Sequence, residues 1–371
     1  MANIALPPNE TTLTEEQVGK GLEVSAITPN YLKHGYIKFT LQNIGKNSSE
    51  MKDITILSNY KNLQEIDISG AKIQSLAAFK DLHTLHDLDA SNNELTEVLD
   101  FETPDGSLLE TSWTGGECYV GSNLLKANLS NNKIFKIRDL SSFKSLTNLN
   151  LSNNRIQEIG NSLLQLKKMK TLSLSNNNLK TCDGMPQLVQ NLDLSGNALA
   201  ELTPLSELID LKIINVDKNR LTGLDELSEC PFLQNISAKN NWLTTFDVVN
   251  SLQSLEQLHS ISLQGNPINL QLSHYRARVI LRLQSISYVD GVKVTADEKV
   301  KARVCVGEET DLRRAVHTEF LPLDLFYDTV PPFNEDEEVK AKSPRDKYRE
   351  VSEDLVNSIV MDAVSSPTST S

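Results

Sequence analysis

One short phrase recurs nine times along this chain: Leu-x-x-Leu-x-Leu-x-x-Asn-x-Leu, with hydrophobic substitutes. The copies begin at Leu63, Leu85, Leu124, Leu146, Met169, Val189, Leu211, Leu233 and Leu258, at steps of 22, 39, 22, 23, 20, 22, 22 and 25 residues. A unit of this size cannot bury its apolar side alone. Repetition at a fixed period in the twenties therefore requires the copies to stack into a solenoid. Such a fold presents a long surface rather than a deep cleft, which points the reading toward binding.

Within one copy the phrase is readable as structure. In the fourth, Leu149 and Leu151 alternate with Asn148 and Asn150, the period of a short strand with one face buried. Asn154 follows, then Ile156 and Ile159. An inward Asn at a sharp turn can satisfy both N–H and C=O groups that burial would leave unpaired. One per copy gives a ladder: Asn93, Asn132, Asn154, Asn177, Asn197, Asn219, Asn241 and Asn266, with Ala71 in that place in the first copy. On the return side Ile73, Leu76, Phe79 and Leu82 recur every three residues, which suits a 3-10 turn. The expected fold class is α/β: a right-handed solenoid with a curved parallel sheet on its concave face, short 3-10 or helical convex segments, and a cap at each end.

The array then sets the domains. Residues 1–62 form an N-terminal flank and cap, 63–268 the nine repeats, 269–303 a C-terminal cap, and 304–371 an acidic tail. In the flank, Thr14-Glu15-Glu16-Gln17 reads as a capping box opening a short helix, and Tyr36 to Leu41 alternates like an edge strand. In the C-terminal cap, Tyr275 to Leu283 reads as helix, Ile286 to Val289 as a last strand, and Thr295-Ala296-Asp297-Glu298 as a second capping box, its helix running to about Arg303. The 39-residue step holds one repeat plus an insertion at about 102–123, containing Trp113, Cys118 and Tyr119. Loops of that length are often functional or disordered. In the tail, 320–333 is rich in proline and aromatic residues, including Phe320 and Phe326. Ser343-Pro344 opens a predicted helix over about 344–364, with Tyr348, Val351, Leu355 and Ile359 along one side.

Composition narrows the function classes. The 371 residues are 39% hydrophobic and 23% charged, with formal net charge −13. The segment after Arg303 contributes −8 of it, from 15 acidic and 7 basic residues. An acidic chain without a basic stripe is a poor nucleic-acid ligand, because phosphate neutralisation supplies most of that affinity. No run approaches the roughly 18 apolar residues of a membrane helix, and Met1 to Thr14 shows no secretory signal. Cys118, Cys182, Cys230 and Cys305 form neither a zinc pattern nor a disulfide framework, which places the chain in a reducing intracellular compartment.

No catalytic constellation emerges. Gly116 to Ser122 has the glycine spacing of a phosphate loop but lacks its Lys. His83 and His86 lie close without a third ligand, and a surface role outweighs a metal site. The expectation is a chain that is not an enzyme, with no cofactor, no metal and no small-molecule substrate. The binding surface is then the polar column between the two core residues of each strand: Asp67, Asp89, Asn128, Asn150, Ser173, Asp193, Asn215, Ser237 and Ser262. Its small, mildly acidic side chains would admit a basic partner. The alternative is that they are solvated strand positions. Trp242, beside Asn241, is either an exposed binding anchor or packed on a neighbouring turn, and Phe135 and Ile213 are weaker cases. The apolar side of the tail helix folds back along the convex side or docks on a partner, the alternative being that the tail is disordered.

The Leu-x-Leu-Ser-x-Asn spelling resembles the intracellular 22-residue class of leucine-rich-repeat proteins. The flank is more specific. Leu13-Thr14-Glu15-Glu16, Gly21-Leu22, Tyr36-Ile37-Lys38, Asp53-Ile54, Tyr60, Leu63 and Ile66-Asp67-Ile68-Ser69 are similar in order to two relatives. One is the leucine-rich-repeat protein of ciliary radial spokes. The other is the repeat half of the leucine-rich-repeat and guanylate kinase domain protein. Tyr275 and Tyr288-Val289-Asp290 of the cap also look like theirs, so the resemblance covers about residues 10 to 303. Some 70 residues follow the cap, too few for a guanylate kinase domain. The resemblance therefore implies a scaffold of the cilium or flagellum, with other axonemal, radial-spoke proteins as partners. The rival expectation is a cytosolic regulatory subunit of a protein phosphatase or a dynein-assembly factor.

Overall fold

The computed structural model describes residues 12–27, 34–44, 53–101, 123–271 and 274–306. Trp113 in the insertion, and Phe320, Phe326, Tyr348, Val351, Leu355 and Ile359 in the tail, lie outside the described residues. The chain divides into two compact units, Met1–Ile214 and Asn215–Ser371.

The first unit opens with α1 (Glu15–Gly21), whose capping box is closed by Gln17 N–H to Thr14 Oγ1 at 3.4 Å and Thr14 N–H to Gln17 Oε1 at 2.9 Å. The helix buries Val18 and ends at Gly21, where a Cβ would come within 2.7 Å of the Phe39 ring and 2.9 Å of the Thr40 carbonyl. Only glycine lets the helix end lie that close to the next strand. β1 (Leu22–Ile27) pairs antiparallel with β2 (His34–Thr40), with register shifts at Glu23/Val24 and Val24/Ala26. β2 in turn pairs parallel with β3 (Glu65–Asp67). The Tyr36 to Leu41 segment is therefore interior to the sheet rather than its edge, because the Leu-Glu-Val-Ser-Ala alternation just upstream forms a strand of its own. The edge is β1, and its irregular register blunts it.

From β3 the strands follow sequence order in one parallel register: β4 (Asp87–Asp89), β5 (Lys126–Asn128), β6 (Asn148–Asn150), β7 (Thr171–Ser173) and β8 (Asn191–Asp193). Each is three residues long, and its middle residue (Ile66, Leu88, Ala127, Leu149, Leu172, Leu192) is buried. The return side behaves as its three-residue spacing predicts: Ala77–Phe79 is a 3-10 turn, and Ile73, Leu76, Phe79 and Leu82 are fully buried. Strands this short gain little from their own hydrogen bonds; stacking of coil on coil supplies the stability.

β9 (Ile213–Asn215) lies across the division between the units. In the second unit β10 (Asn235–Ser237), β11 (Ser260–Ser262) and β12 (Tyr288–Val289) run parallel, and β13 (Val292–Lys293) returns antiparallel on β12. The connecting Asp290 and Gly291 have φ of 54° and 77°, as a two-residue hairpin turn demands. Helices α2 (Asp247–Ser251), α3 (Pro267–Gln271), α4 (Tyr275–Arg282) and α5 (Ala296–Val306) complete the unit. α5 starts at its own capping box, Glu298 N–H to Thr295 Oγ1 at 3.2 Å and Thr295 N–H to Glu298 Oε2 at 3.0 Å. Arg276 on α4 clasps the cap: Nε reaches Glu298 Oε1 at 2.9 Å, Nη1 the Val289 carbonyl at 2.9 Å, and Nη2 the Lys293 carbonyl at 3.2 Å. The Arg276 bond first, then the Thr295 N–H, hold the Glu298 carboxyl down at about 2.

Candidate functional site

Each repeat's strand turns sharply at its C-terminal end, and that corner sorts the polar residues. On the inner side Asn93 Nδ2 donates to the carbonyls of Ile68, Ala90 and Ser91 at 2.9, 3.1 and 3.2 Å, while its Oδ1 accepts from the N–H groups of Ala71 and Ile73, both at 3.0 Å. Asn132, Asn154, Asn177 and Asn197 repeat the pattern. In the second unit Asn219, Asn241 and Asn266 bond backbone carbonyls in the same way. One amide per coil thus joins two or three stretches of backbone that water cannot reach.

The residue before each ladder position carries a second periodic demand. Asn92, Asn131, Asn153, Asn176, Lys218 and Asn240 have φ between 52° and 56°, and Gly70, Gly196 and Gly265 have positive φ at the equivalent places. Asn and Gly are the residues that enter this region most readily, so the doubled Asn of the repeat spelling has a backbone cause. At Gly196 a Cβ would sit 2.2 Å from Asn176 Oδ1, whose Nδ2 reaches Asn153 Oδ1 at 2.9 Å.

On the outer side the predicted column, Asp67 through Ser237, stands half-exposed on the strand face. Most of its members also serve the corner. Asp67 accepts from Ser69 N–H at 3.0 Å, Asp89 from Ser91 N–H at 2.9 Å, Asn150 from Ser152 N–H at 3.0 Å, Asp193 from Ser195 N–H at 3.1 Å and Asn215 from Asp217 N–H at 3.1 Å. Asn128 makes a longer bond of the same kind at 3.3 Å. Asp and Asn favour such two-residue side-chain turns, so the composition of this column reports the backbone as much as a partner. Ser173 lies 3.4 Å from Ser175 Oγ. Ser237 Oγ instead donates to Asp217 Oδ1 of the preceding coil at 2.7 Å, and that oxygen also accepts from Lys239 N–H at 2.7 Å. Ser262 is buried.

A second column on the same face was not singled out from the sequence: Glu65, Asp87, Lys126, Asn148, Thr171 and Asn191 in the first unit, aligned strand by strand. Its charges are of mixed sign and paired, Glu65 with Lys38 of β2 at 3.5 Å and Asp87 with Lys126 at 3.1 Å. Its signal was available, since these residues lie two positions before the first column and period-2 alternation sends both to one face. Together the columns line an open trough of about 740 Å³ over β2 to β7. Ile213 continues the second column as a 42% exposed apolar residue.

Trp242 is half-buried. The Arg220 guanidinium lies 6.0 Å from its ring centroid, the reach of a cation–π contact. Phe135 is 57% exposed. Among the described residues no group of three or more His, Cys, Asp or Glu could hold a metal ion, and no helix is long and apolar enough to cross a membrane.

Known proteins match this geometry. A family model described as leucine-rich repeat covers residues 183–310, and a second of that description covers 144–199. Leucine-rich repeat-containing protein 23 of Bos taurus is 26% identical over 230 residues, which span 54% of this chain and 66% of that protein. Dynein axonemal light chain 1 of Chlamydomonas reinhardtii is 36% identical over 174 residues, 45% of this chain and 78% of that protein. The leucine-rich repeat and guanylate kinase domain-containing protein of Homo sapiens is 32% identical over 92 residues, 10% of its own length. Among solved structures an internalin of Listeria monocytogenes aligns with a TM-score of 0.51 at 17% identity, covering 66% of this chain and 65% of that one. That last likeness is one of fold.

Proposed function

The chain belongs to the leucine-rich-repeat protein family, and from that premise we propose that it is a non-enzymatic scaffold of the ciliary or flagellar axoneme, housed in a radial spoke. The repeats make it a protein-interaction module. The observation that carries the axonemal reading is the match to an axonemal dynein light chain over 78% of that protein. The flank from Leu13 to Ser69, similar to that of the radial-spoke protein and of the guanylate-kinase-domain relative alike, adds support for the spoke. The strand face, open over β2 to β7 among the described residues, is the docking surface of the reading, with Trp242, Phe135 and the tail as further contacts.

Imaging and knockout in a ciliated cell test this. The tagged chain should line the axoneme, and its loss should remove or deform spokes. A tagged chain that stays diffuse in the cell body, with axonemes of the knockout intact, overturns it. The dynein light chain likeness also favours a second reading, association with an axonemal dynein. Proximity labelling from the tagged chain separates the two: spoke subunits support the first, dynein heavy chains the second. Recovery of a phosphatase or of assembly factors in a soluble fraction instead would favour a cytosolic regulatory role. Nucleotide binding by the purified chain would count against the non-enzymatic reading.

A further inference from the structure

We propose that the trough over β3 and β4 receives a basic segment of the partner, which presents an arginine to Asp67 and Asp89. The proposal rests on the scaffold reading above and adds the chemistry of what is bound.

Four carboxyl groups share one face of these two strands, with Glu65 opposite Asp87 and Asp67 opposite Asp89. Neighbouring strands lie about 4.8 Å apart, and like charges placed directly opposite are destabilising. The fold answers only half of this. Lys38 pairs with Glu65 at 3.5 Å and Lys126 with Asp87 at 3.1 Å. Asp67 and Asp89 have no cation among the described residues. The second oxygen of Asp89 takes the Asn128 amide at 2.9 Å, and the second oxygen of Asp67 has no donor among the described residues.

The turn does not require this charge. Asn150 makes the same two-residue bond with an amide oxygen, at the same 3.0 Å as Asp67. Two adjacent acids where Asn serves the backbone equally are a local cost that a bound cation would reverse. The flat, forked guanidinium suits two acceptors at this spacing better than an ammonium does. Lys38 and Lys126 repel a cation from Glu65 and Asp87 and so direct it to Asp67 and Asp89. The open trough, about 740 Å³ in volume, admits the segment that carries the arginine.

The test uses the full chain and a labelled, amidated alanine–arginine helix with arginines four residues apart, read by fluorescence anisotropy at low and high salt. Asp67→Asn with Asp89→Asn keeps both turn bonds but removes the acceptor that Asp89 offers the Asn128 amide. It should weaken peptide binding at least about ten-fold, as loss of charge-assisted bonds implies. Asp67→Asn alone, which costs no other bond among the described residues, should leave the melting temperature equal or higher. Asp225→Asn with Glu226→Gln, outside the trough, should leave binding unchanged. A double variant that binds like the parent, or an Asp67→Asn variant that melts lower, overturns the site. So does a third result: neutralising the chain's own Lys340, Lys342, Arg345, Lys347 and Arg349 tightens peptide binding, which would make that segment the occupant. Failure here with normal axonemal targeting removes the arginine site and leaves the scaffold. Arginine binding in a chain that never enters cilia does the reverse.

Discussion

Asn154 and Asn150 stand four residues apart on opposite sides of one corner, and the same side chain does different work at each. Asn154 is buried, and its amide bonds the carbonyls of Leu129, Leu151 and Ser152 and the N–H of Ile134. Asn150 is half-exposed and, among the described residues, caps only the Ser152 N–H. Inside the corner no other group can replace the amide, since the backbone it joins belongs to two coils and is shut off from water. Outside, water can replace it. Residue type is thus a poor guide to role in this fold, and the side of the corner is a good one.

The comparison can be broken most directly at its buried member. Asn154→Ala should lower unfolding free energy by about 1–3 kcal/mol, because it strands buried carbonyls and an N–H; urea denaturation measures this, and an unchanged midpoint would show that the ladder is not structural. Gly196→Ala should cost about 1–2 kcal/mol through its left-handed φ and the displaced Asn176 amide, again read by denaturation. The cap offers a contrast in pH. Its Glu298 titrates well below the ordinary carboxyl range, so its contribution is present above that range and lost as pH falls from 4.5 toward about 2. The ladder amides do not ionise in that window. Hydrogen exchange should show α5 opening on acidification before the strands do, and Glu298→Gln should flatten that dependence. Asn150→Ala should cost least, about 0.5 kcal/mol or less, since the freed N–H meets solvent; a loss equal to that of Asn154→Ala would erase the distinction.

Much of this was legible in the sequence. The strand period, the Asn spacing and the three-residue rhythm of Ile73, Leu76, Phe79 and Leu82 are local patterns, and each maps onto one face of a coil. The two capping boxes are equally local. The strand at Leu22–Ile27 and the aligned charges of Glu65, Asp87 and Lys126 were not read, because their meaning lies in what stands beside them. Register between strands 22 or 39 residues apart decides which charges meet.

The sequence by itself determined that this chain stacks coils, which side chains point inward, and where caps begin. It did so because burial of apolar residues and pairing of backbone groups act within a single repeat. Only the tertiary structure decided that Asp67 and Asp89 oppose each other with no cation among the described residues, that Asp217 caps the next coil's turn, and that Arg276 holds the cap together. Those are contacts between coils, and the spacing of residues along one coil does not encode them.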